Sequence, residues 1–153
     1  MLRVYDICAM HFAIVNGPNL NLLGEREPDI YGSRTFSDVL DELKSSFADV
    51  EISYFQSNVE GELVNIIQDL RKKCDGIILN AAAYSHTSIA IADAVAAVEI
   101  PVVGVHISNI YRREEERHTD LLAKYCTGYL FGLGIKGYEL ALRFLIELNQ
   151  EHR

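Results

Sequence analysis

The run Gly76-Ile77-Ile78-Leu79 decides the fold of this chain, because it is short, wholly apolar and bounded by polar residues. A strand that is apolar on both faces is typical of the centre of a parallel sheet, where helices cover each side. Pro101-Val102-Val103-Gly104-Val105 has the same character and predicts another buried strand. Phe12-Ala13-Ile14-Val15 is a further short apolar run, which predicts the first strand.

Two further runs and the segments between them complete the pattern. Val50 to Phe55 alternates and is rich in β-branched and aromatic residues, which predicts a strand near an edge of the sheet. Gly128 to Phe131 predicts the fifth strand, and apolar residues at helical spacing separate the strands. Thr35 and Asp38 resemble a capping pair at the start of the first helix. Strands that alternate with helices predict an α/β, flavodoxin-like three-layer sandwich with a five-stranded parallel sheet.

Length and composition limit the classes of protein to consider. We expect residues 1–11 to form an N-terminal tail, not a signal peptide, and residues 12–153 to form a single domain. The net charge of −8 argues against nucleic acid or an anionic membrane as the main partner. No apolar run approaches the roughly 20 residues of a spanning helix. Cys8, Cys74 and Cys126 are few and widely spaced, which indicates reduced thiols in a cytoplasmic protein.

The segment from Asn16 to Gly32 follows the first strand and is much longer than a connection between strand and helix requires. Open α/β sheets bind ligands at the carboxyl ends of their strands, so we expect this loop to carry chemistry. Asn19 offers hydrogen bonds, and Tyr31 has an ordinary pKa of about 10, which a nearby Arg26 would lower. The alternatives are a tyrosine that packs and an arginine that is only a solvated surface charge.

The loops after the third and fourth strands should meet the first loop at the same edge of the sheet. They carry Asn80 and His86, and His106 with Ser108. Histidine suits proton donation because it titrates near neutral pH. Each of these side chains has a structural alternative, in which it only holds its own loop together. Asp93, on a predicted helix, either points into solvent or reaches a neighbouring subunit.

Two other signals are discounted. The segment Gly132 to Gly137 matches a dinucleotide glycine fingerprint, but the chain ends before the further strand and acidic residue that this motif needs. We interpret it as a tight turn into the last helix. His86, Asp93, His106 and His118 lack the spacing of metal ligands on one helical turn.

Taken together, the chain resembles type II 3-dehydroquinate dehydratase over nearly its whole length beyond the tail. The resemblance rests on Ile14 to Gly32, Gln56 to Leu63, Asn80 to Ser88, Val105 to Asn109 and Gly132 to Tyr138. It implies an enzyme that uses no metal and no other cofactor to remove water from the small anionic substrate 3-dehydroquinate. The pathway would be the shikimate route to aromatic amino acids or the breakdown of quinate.

The resemblance also implies roles for individual residues. Tyr31 would be the base, Arg26 would lower its pKa, and Asn19 would hold a water molecule beside the enolate. His106 would protonate the departing hydroxyl. The residues that would grip the substrate are Asn80, His86, Asp93, Ile107, Ser108 and Arg117, of which Asp93 would come from an adjacent subunit of a dodecamer built from trimers.

Several positions depart from the family pattern. Gly104 stands where Glu usually orients the catalytic histidine, so we expect the tautomer of His106 to be less controlled. Ala82 replaces a usual Gly, Glu116 replaces a usual Phe, and Thr119-Asp120 replaces a His-Ser pair. Gly104 therefore motivates an alternative hypothesis: a binding module for a dehydroquinate-like anion with weakened turnover. Binding of a flavin or nucleotide is a third hypothesis, by analogy of fold alone.

Overall fold

A computed structural model describes residues 9–152, with Tyr31 described by its backbone alone. The strands are β1 (Met10–Asn16), β2 (Val50–Gln56), β3 (Gly76–Asn80), β4 (Val102–His106) and β5 (Gly128–Phe131). The α-helices are α1 (Pro28–Tyr31), α2 (Phe36–Ser46), α3 (Glu60–Leu70), α4 (Ile89–Ala97) and α5 (Lys136–Glu151). Short 3-10 helices occur at Leu20–Leu22, Ala82–His86, Ile110–Arg112, Glu115–Arg117 and Ala123–Tyr125.

The five strands form one sheet in the order β2-β1-β3-β4-β5, and every neighbouring pair is parallel. This is the flavodoxin-like order, so the predicted fold class is confirmed. β2 lies at an edge, as its alternating pattern predicts. β3 and β4 are buried at every residue, because helices cover both of their faces.

Alternate residues of β1 show how the sheet divides the core in two. Phe12 and Ile14 pack in a cluster with the apolar faces of α2 and α5. Ala13 and Val15 point to the opposite side and pack with α3 and α4. Successive side chains of a strand point to opposite faces of the sheet, so β1 contributes to two separate apolar layers. The sheet with a helical layer on each face is the three-layer sandwich.

Local signals account for the starts of two helices. Thr35 and Asp38 form the predicted capping box, in which each side chain accepts a hydrogen bond from the other residue's backbone amide. The Ser88 hydroxyl oxygen accepts from the Ile91 amide at 2.9 Å, which caps α4.

Two features of the chain differ from the sequence predictions. β1 begins at Met10, so residues 10 and 11 belong to the sheet and not to the predicted tail, while residues 1–8 lie outside the described part of the chain. The long first loop contains one turn of 3-10 helix and the short α1. Of the helices in residues 9–152, none has the length and apolar character needed to cross a membrane.

Candidate active site

A cleft opens at the carboxyl ends of β1, β3 and β4, where the sequence predicts a site. It encloses about 710 Å³ of space, including its open mouth. Eight of the ten predicted site residues line it: Asn19, Arg26, Asn80, His86, His106, Ile107, Ser108 and Arg117. The sheet order brings these residues together, since β1, β3 and β4 are consecutive neighbours.

The other two predicted site residues have different outcomes. Asp93 is exposed on α4 and is not among the residues that line the cleft within one chain. Its contribution to the site of a neighbouring subunit stays a prediction. The Tyr31 side chain lies outside the described part of the structure, although its backbone ends α1 in the same loop as Arg26.

Backbone contacts hold the first loop against β3. The Gly17 amide donates to the Asn80 carbonyl at 2.7 Å. A Cβ atom on Gly17 would lie 2.5 Å from the Ala81 carbonyl oxygen, so only glycine permits this approach. Asn19 adopts a left-handed conformation, with φ of 68°, and its amide donates to the Asn58 side chain at 2.9 Å. These contacts fix the point from which the loop enters the cleft.

Asn80 combines a structural role with a place in the cleft. Its side-chain amide donates to the Tyr138 hydroxyl at 2.8 Å, and its oxygen accepts from the Ala82 amide at 3.1 Å. Tyr138 in turn donates to the side-chain oxygen of Asn16 at 2.8 Å. Asn80 therefore does hold the surrounding loop and α5 together, which is the structural role that the sequence left open. An amide carries two hydrogens, however, so one donor remains for a ligand.

His86 is held as a neutral imidazole. Its Nδ1 lies 2.8 Å from the Thr119 carbonyl oxygen, which can only accept, so Nδ1 carries the hydrogen. Burial lowers the pKa of His86; the hydrogen bond to Thr119 opposes this in part, and the neighbouring His106 lowers the pKa further. The two imidazole rings stack at 5.2 Å with an angle of 7° between their planes. His86 therefore offers the cleft an uncharged Nε2.

The expectation that His106 lacks a carboxylate partner is wrong. The Asp120 Oδ2 atom lies 3.0 Å from His106 Nε2, and both side chains are less than 10% exposed, at 7% and 8%. Tyr129 donates to the same oxygen at 2.5 Å. Burial opposes ionisation of Asp120, but the hydrogen bonds from His106 and Tyr129 bring its pKa below the ordinary value. Asp120 is thus a buried carboxylate beside the imidazole.

The hydrogen bonds of Ser85 identify the tautomer of His106. The Ser85 hydroxyl donates to the Ala82 carbonyl at 2.9 Å, and its oxygen lies 3.0 Å from His106 Nε2. The Ser85 hydroxyl donates its hydrogen to Ala82, and Asp120 is ionised, so neither can donate to the imidazole. His106 Nε2 is therefore the donor to the Ser85 oxygen and to the Asp120 carboxylate. Nδ1 has no hydrogen-bond partner among residues 9–152, and His106 lines the cleft. Nδ1 is therefore the nitrogen available to a bound molecule.

Three arginines line the cleft, and the sequence predicts two of them. Arg26 lies 3.2 Å from Glu27 and is 43% exposed, while Arg117 donates from Nε to Glu114 at 3.0 Å. Arg113 is the third, and its side chain is only 11% exposed. The charged run after β4 contains Arg113 and is the signal that could have indicated it. Asp120 could have been found from the Thr119-Asp120 departure.

The turn after β5 supports the loop that carries Ile107 and Ser108. The Gly134 amide donates to the Ile107 carbonyl and the Gly132 amide to the Ser108 carbonyl, both at 3.0 Å. Both glycines have positive φ, of 60° and 81°, which favours glycine. The segment from Gly132 to Gly137 is therefore a tight turn into α5, as predicted. The two carbonyls are engaged, so the groups left for a ligand are backbone amides and the Ser108 hydroxyl.

No three His, Cys, Asp or Glu side chains converge as metal ligands would within residues 9–152. Cys74 and Cys126 are free thiols, and Cys8 lies outside the described residues. Burial, assisted by the Asp120 carboxylate, raises the pKa of Cys126 to about 12, so this thiol stays protonated.

Fold and cleft together define a parallel α/β protein with an arginine-lined cleft at the carboxyl ends of its strands. Comparison with known proteins gives the family. Residues 10–146 match the family described as Dehydroquinase class II. The chain is 45% identical over 138 residues to the 3-dehydroquinate dehydratase of Bacillus pumilus, covering 89% of this chain and 94% of that one. It is 49% identical over 141 residues to that of Campylobacter lari, covering 91% and 88%.

A solved structure gives the same result. The crystal structure of type II dehydroquinase from Butyrivibrio crossotus superposes with a TM-score of 0.86 at 40% identity, covering 89% of this chain and 97% of that one. The chain belongs to the class II dehydroquinase family, and with it to the hydro-lyases.

Proposed function

We propose that this protein removes water from 3-dehydroquinate to give 3-dehydroshikimate, through an enolate intermediate. The observation that carries the proposal is the convergence of a buried His106, a neutral His86 and three arginines in one cleft, in a chain of this family. Such a cleft suits a substrate that carries a carboxylate and several hydroxyls. The reaction places the enzyme in the shikimate route to aromatic amino acids or in quinate breakdown.

The chemistry begins at the carbon next to the ketone of the substrate. Tyr31, as a phenolate stabilised by the Arg26 guanidinium, removes a proton there. The electron pair moves onto the ketone oxygen and forms the enolate, which a water molecule held by Asn19 stabilises. The support for these roles is the resemblance of the loop from Asn16 to Gly32, together with the position of Asn19 and Arg26 on the cleft wall.

Water then leaves. The enolate electron pair returns to form the conjugated carbon–carbon double bond, the carbon–oxygen bond breaks, and His106 protonates the departing hydroxyl. Imidazolium is a suitable donor near neutral pH. His106 lines the cleft, and its Nδ1 has no hydrogen-bond partner among the described residues, which supports this assignment because that nitrogen is left for a ligand.

The remaining lining residues grip the substrate. Arg117 suits the carboxylate, because its Nε donates to Glu114 and its terminal nitrogens have no partner among the described residues. His86 and the second hydrogen of the Asn80 amide suit the hydroxyls. Ile107 and Ser108 offer backbone amides and a hydroxyl. Asp93 of an adjacent subunit would complete the site.

The direct test is incubation of the purified protein with 3-dehydroquinate. The product is a conjugated enone, so ultraviolet absorbance should rise, and a chelator should make no difference. No absorbance change from well-folded protein at high concentration would refute the proposal.

The role of Tyr31 has its own test. Tyr31→Phe removes the base and should lower kcat by roughly 100- to 10,000-fold. Tyr125→Phe is a matched control, because Tyr125 is 40% exposed and is not among the residues that line the cleft. A Tyr31→Phe enzyme with normal turnover would show that the base is another group.

The observation that favoured the alternative hypothesis, a binding module with weakened turnover, no longer favours it. It depends on an imidazole left without a carboxylate by Gly104, whereas Asp120 supplies one. We therefore propose a competent enzyme.

We further propose that the protein is cytoplasmic and assembles as a dodecamer built from trimers. Support for assembly comes from the family resemblance, which implies that Asp93 acts across subunits; Asp93 is exposed on α4 and is not among the residues that line the cleft of its own chain. Light scattering should give the mass of twelve chains. A stable monomer with full activity would exclude a role for Asp93 across subunits.

A further inference from the structure

We propose that Asp120 is the positioning residue of the proton donor: it holds His106 with hydrogen on Nε2 and stabilises its protonated form, so that Nδ1 delivers the proton. The inference rests on the proposed function and assigns the orienting carboxylate to the loop between β4 and β5.

The geometry of Asp120 is that of a preorganised acceptor. Its Oδ1 accepts from the backbone amides of Leu122 and Ala123, at 2.9 and 3.0 Å. Its Oδ2 accepts from His106 Nε2 and from the Tyr129 hydroxyl. Four donors therefore fix the carboxylate in place, and each oxygen has two of them. A carboxylate fixed in this way can orient an imidazole without moving itself.

The surroundings keep Asp120 charged and Tyr129 protonated. Burial and the adjacent Asp120 both raise the pKa of Tyr129, so its hydroxyl remains a donor. Among the side chains that the structure describes, which exclude that of Tyr31, the titratable groups in contact with the His106 ring are Asp120, the stacked His86 and Tyr129, and Asp120 is the negative one of these three. When His106 gains its second proton, Asp120 is the group that compensates the charge.

Gly104 makes this arrangement possible. Gly104 and Tyr129 are register partners on β4 and β5, so their side chains belong to the same face of the sheet. A Cβ atom on Gly104 would lie 2.0 Å from Cε2 of the Tyr129 ring. The ring therefore occupies the space above the glycine, and from there its hydroxyl reaches Asp120. The missing side chain at position 104 is thus a requirement for the Asp120 contact.

Asp120 is not among the residues that line the cleft in the described chain, so it acts through His106 and not on the substrate. A positioning residue and a substrate contact differ in their effects on kcat and KM. Loss of a positioning residue should lower kcat and change the pH profile while KM stays nearly constant. Loss of a substrate contact would raise KM.

The substitution to make is Asp120→Asn. It keeps an oxygen for the amides of Leu122 and Ala123 and removes the charge, so the loop should stay folded. We expect kcat to fall roughly 10- to 100-fold with KM within about threefold, and the high-pH limb of the kcat profile to move to lower pH. Asp41→Asn removes the same charge from the exposed face of α2 and should change none of these.

A second measurement needs neither the variant nor the substrate. In the ¹H–¹⁵N spectrum of the imidazole side chains of wild-type protein, neutral His106 should carry its hydrogen on Nε2. A hydrogen on Nδ1 instead would overturn the inference, as would an Asp120→Asn enzyme with normal kcat and pH profile. If wild-type protein forms no enone but His106 shows the Nε2 tautomer, the proposed function fails while the orienting role of Asp120 stands.

Discussion

Replacing Gly104 by alanine adds a single methyl group, but it should lower both the stability and the turnover of the enzyme. The new Cβ atom would lie 2.0, 2.3 and 2.8 Å from three atoms of the Tyr129 ring, whereas ordinary contacts begin at 3.4 Å. The nearest ring atom must therefore retreat by about 1.4 Å, the difference between 3.4 and 2.0 Å. Because the Tyr129 hydroxyl is 2.5 Å from Asp120 Oδ2, such a shift breaks that hydrogen bond.

The free energy of unfolding should fall by about 2 kcal/mol, since overpacking by one methyl group in a buried strand costs about 1–3 kcal/mol. For a domain of this length, the melting temperature should drop by roughly 4–8 °C. Turnover should fall as well, because Asp120 loses one of the donors that fix it. Thermal denaturation and the enone assay measure the two effects.

Gly61→Ala is the matched control, because a Cβ atom on Gly61 meets nothing within 4 Å and the residue is exposed in α3. It should stabilise the protein by up to about 1 kcal/mol, as alanine is the better helix former. Combining Gly104→Ala with Tyr129→Val removes the clashing ring and should recover part of the lost stability. If Gly104→Ala melts like wild type and keeps its turnover, the Tyr129 ring is free to move and the reasoning is refuted.

Three further predictions concern polar side chains that are held by hydrogen bonds. Tyr138→Phe leaves Asn16 and Asn80 without their shared partner, so unfolding by urea should show a loss of about 1–3 kcal/mol, and KM should rise because Asn80 is no longer held. The pKa of His86 is lowered in the folded protein, so folding opposes protonation of this side chain, and the free energy of unfolding should fall as pH drops below about 6.5. His86→Gln should reduce this pH dependence. Melting temperatures measured between about pH 5 and 8, the range in which histidine titrates, test this. The pKa of Asp120 is also lowered in the folded protein, so the ionised carboxylate stabilises the fold above about pH 4, and this stabilisation is lost as pH falls through the pKa of the folded state. Acid denaturation of Asp120→Asn, followed by circular dichroism, should therefore lack the part of the pH dependence that comes from Asp120.

Several features of this protein follow from its sequence because they depend on local pattern. The apolar run at 76–79 predicts a central strand wherever it occurs, since a two-sided apolar strand needs cover on both faces. The Thr35 and Asp38 pair marks a helix start by itself. Parallel topology then places the loops after β1, β3 and β4 at one edge, so several lining residues, among them Asn80 and His106, could be predicted before their distances were known, whereas Arg113 was missed.

The partners of those residues depend on contacts between distant segments. Asn80 meets Tyr138, which is 58 positions away, and His106 meets Asp120, which is 14 positions away on an irregular loop. No periodicity encodes such pairs, because sheet order and loop path decide which side chains meet. The sequence by itself therefore determined the fold and the residues around the cleft. Only the tertiary structure decided that a carboxylate from another loop orients the imidazole, since a ring from β5 fills the space above Gly104.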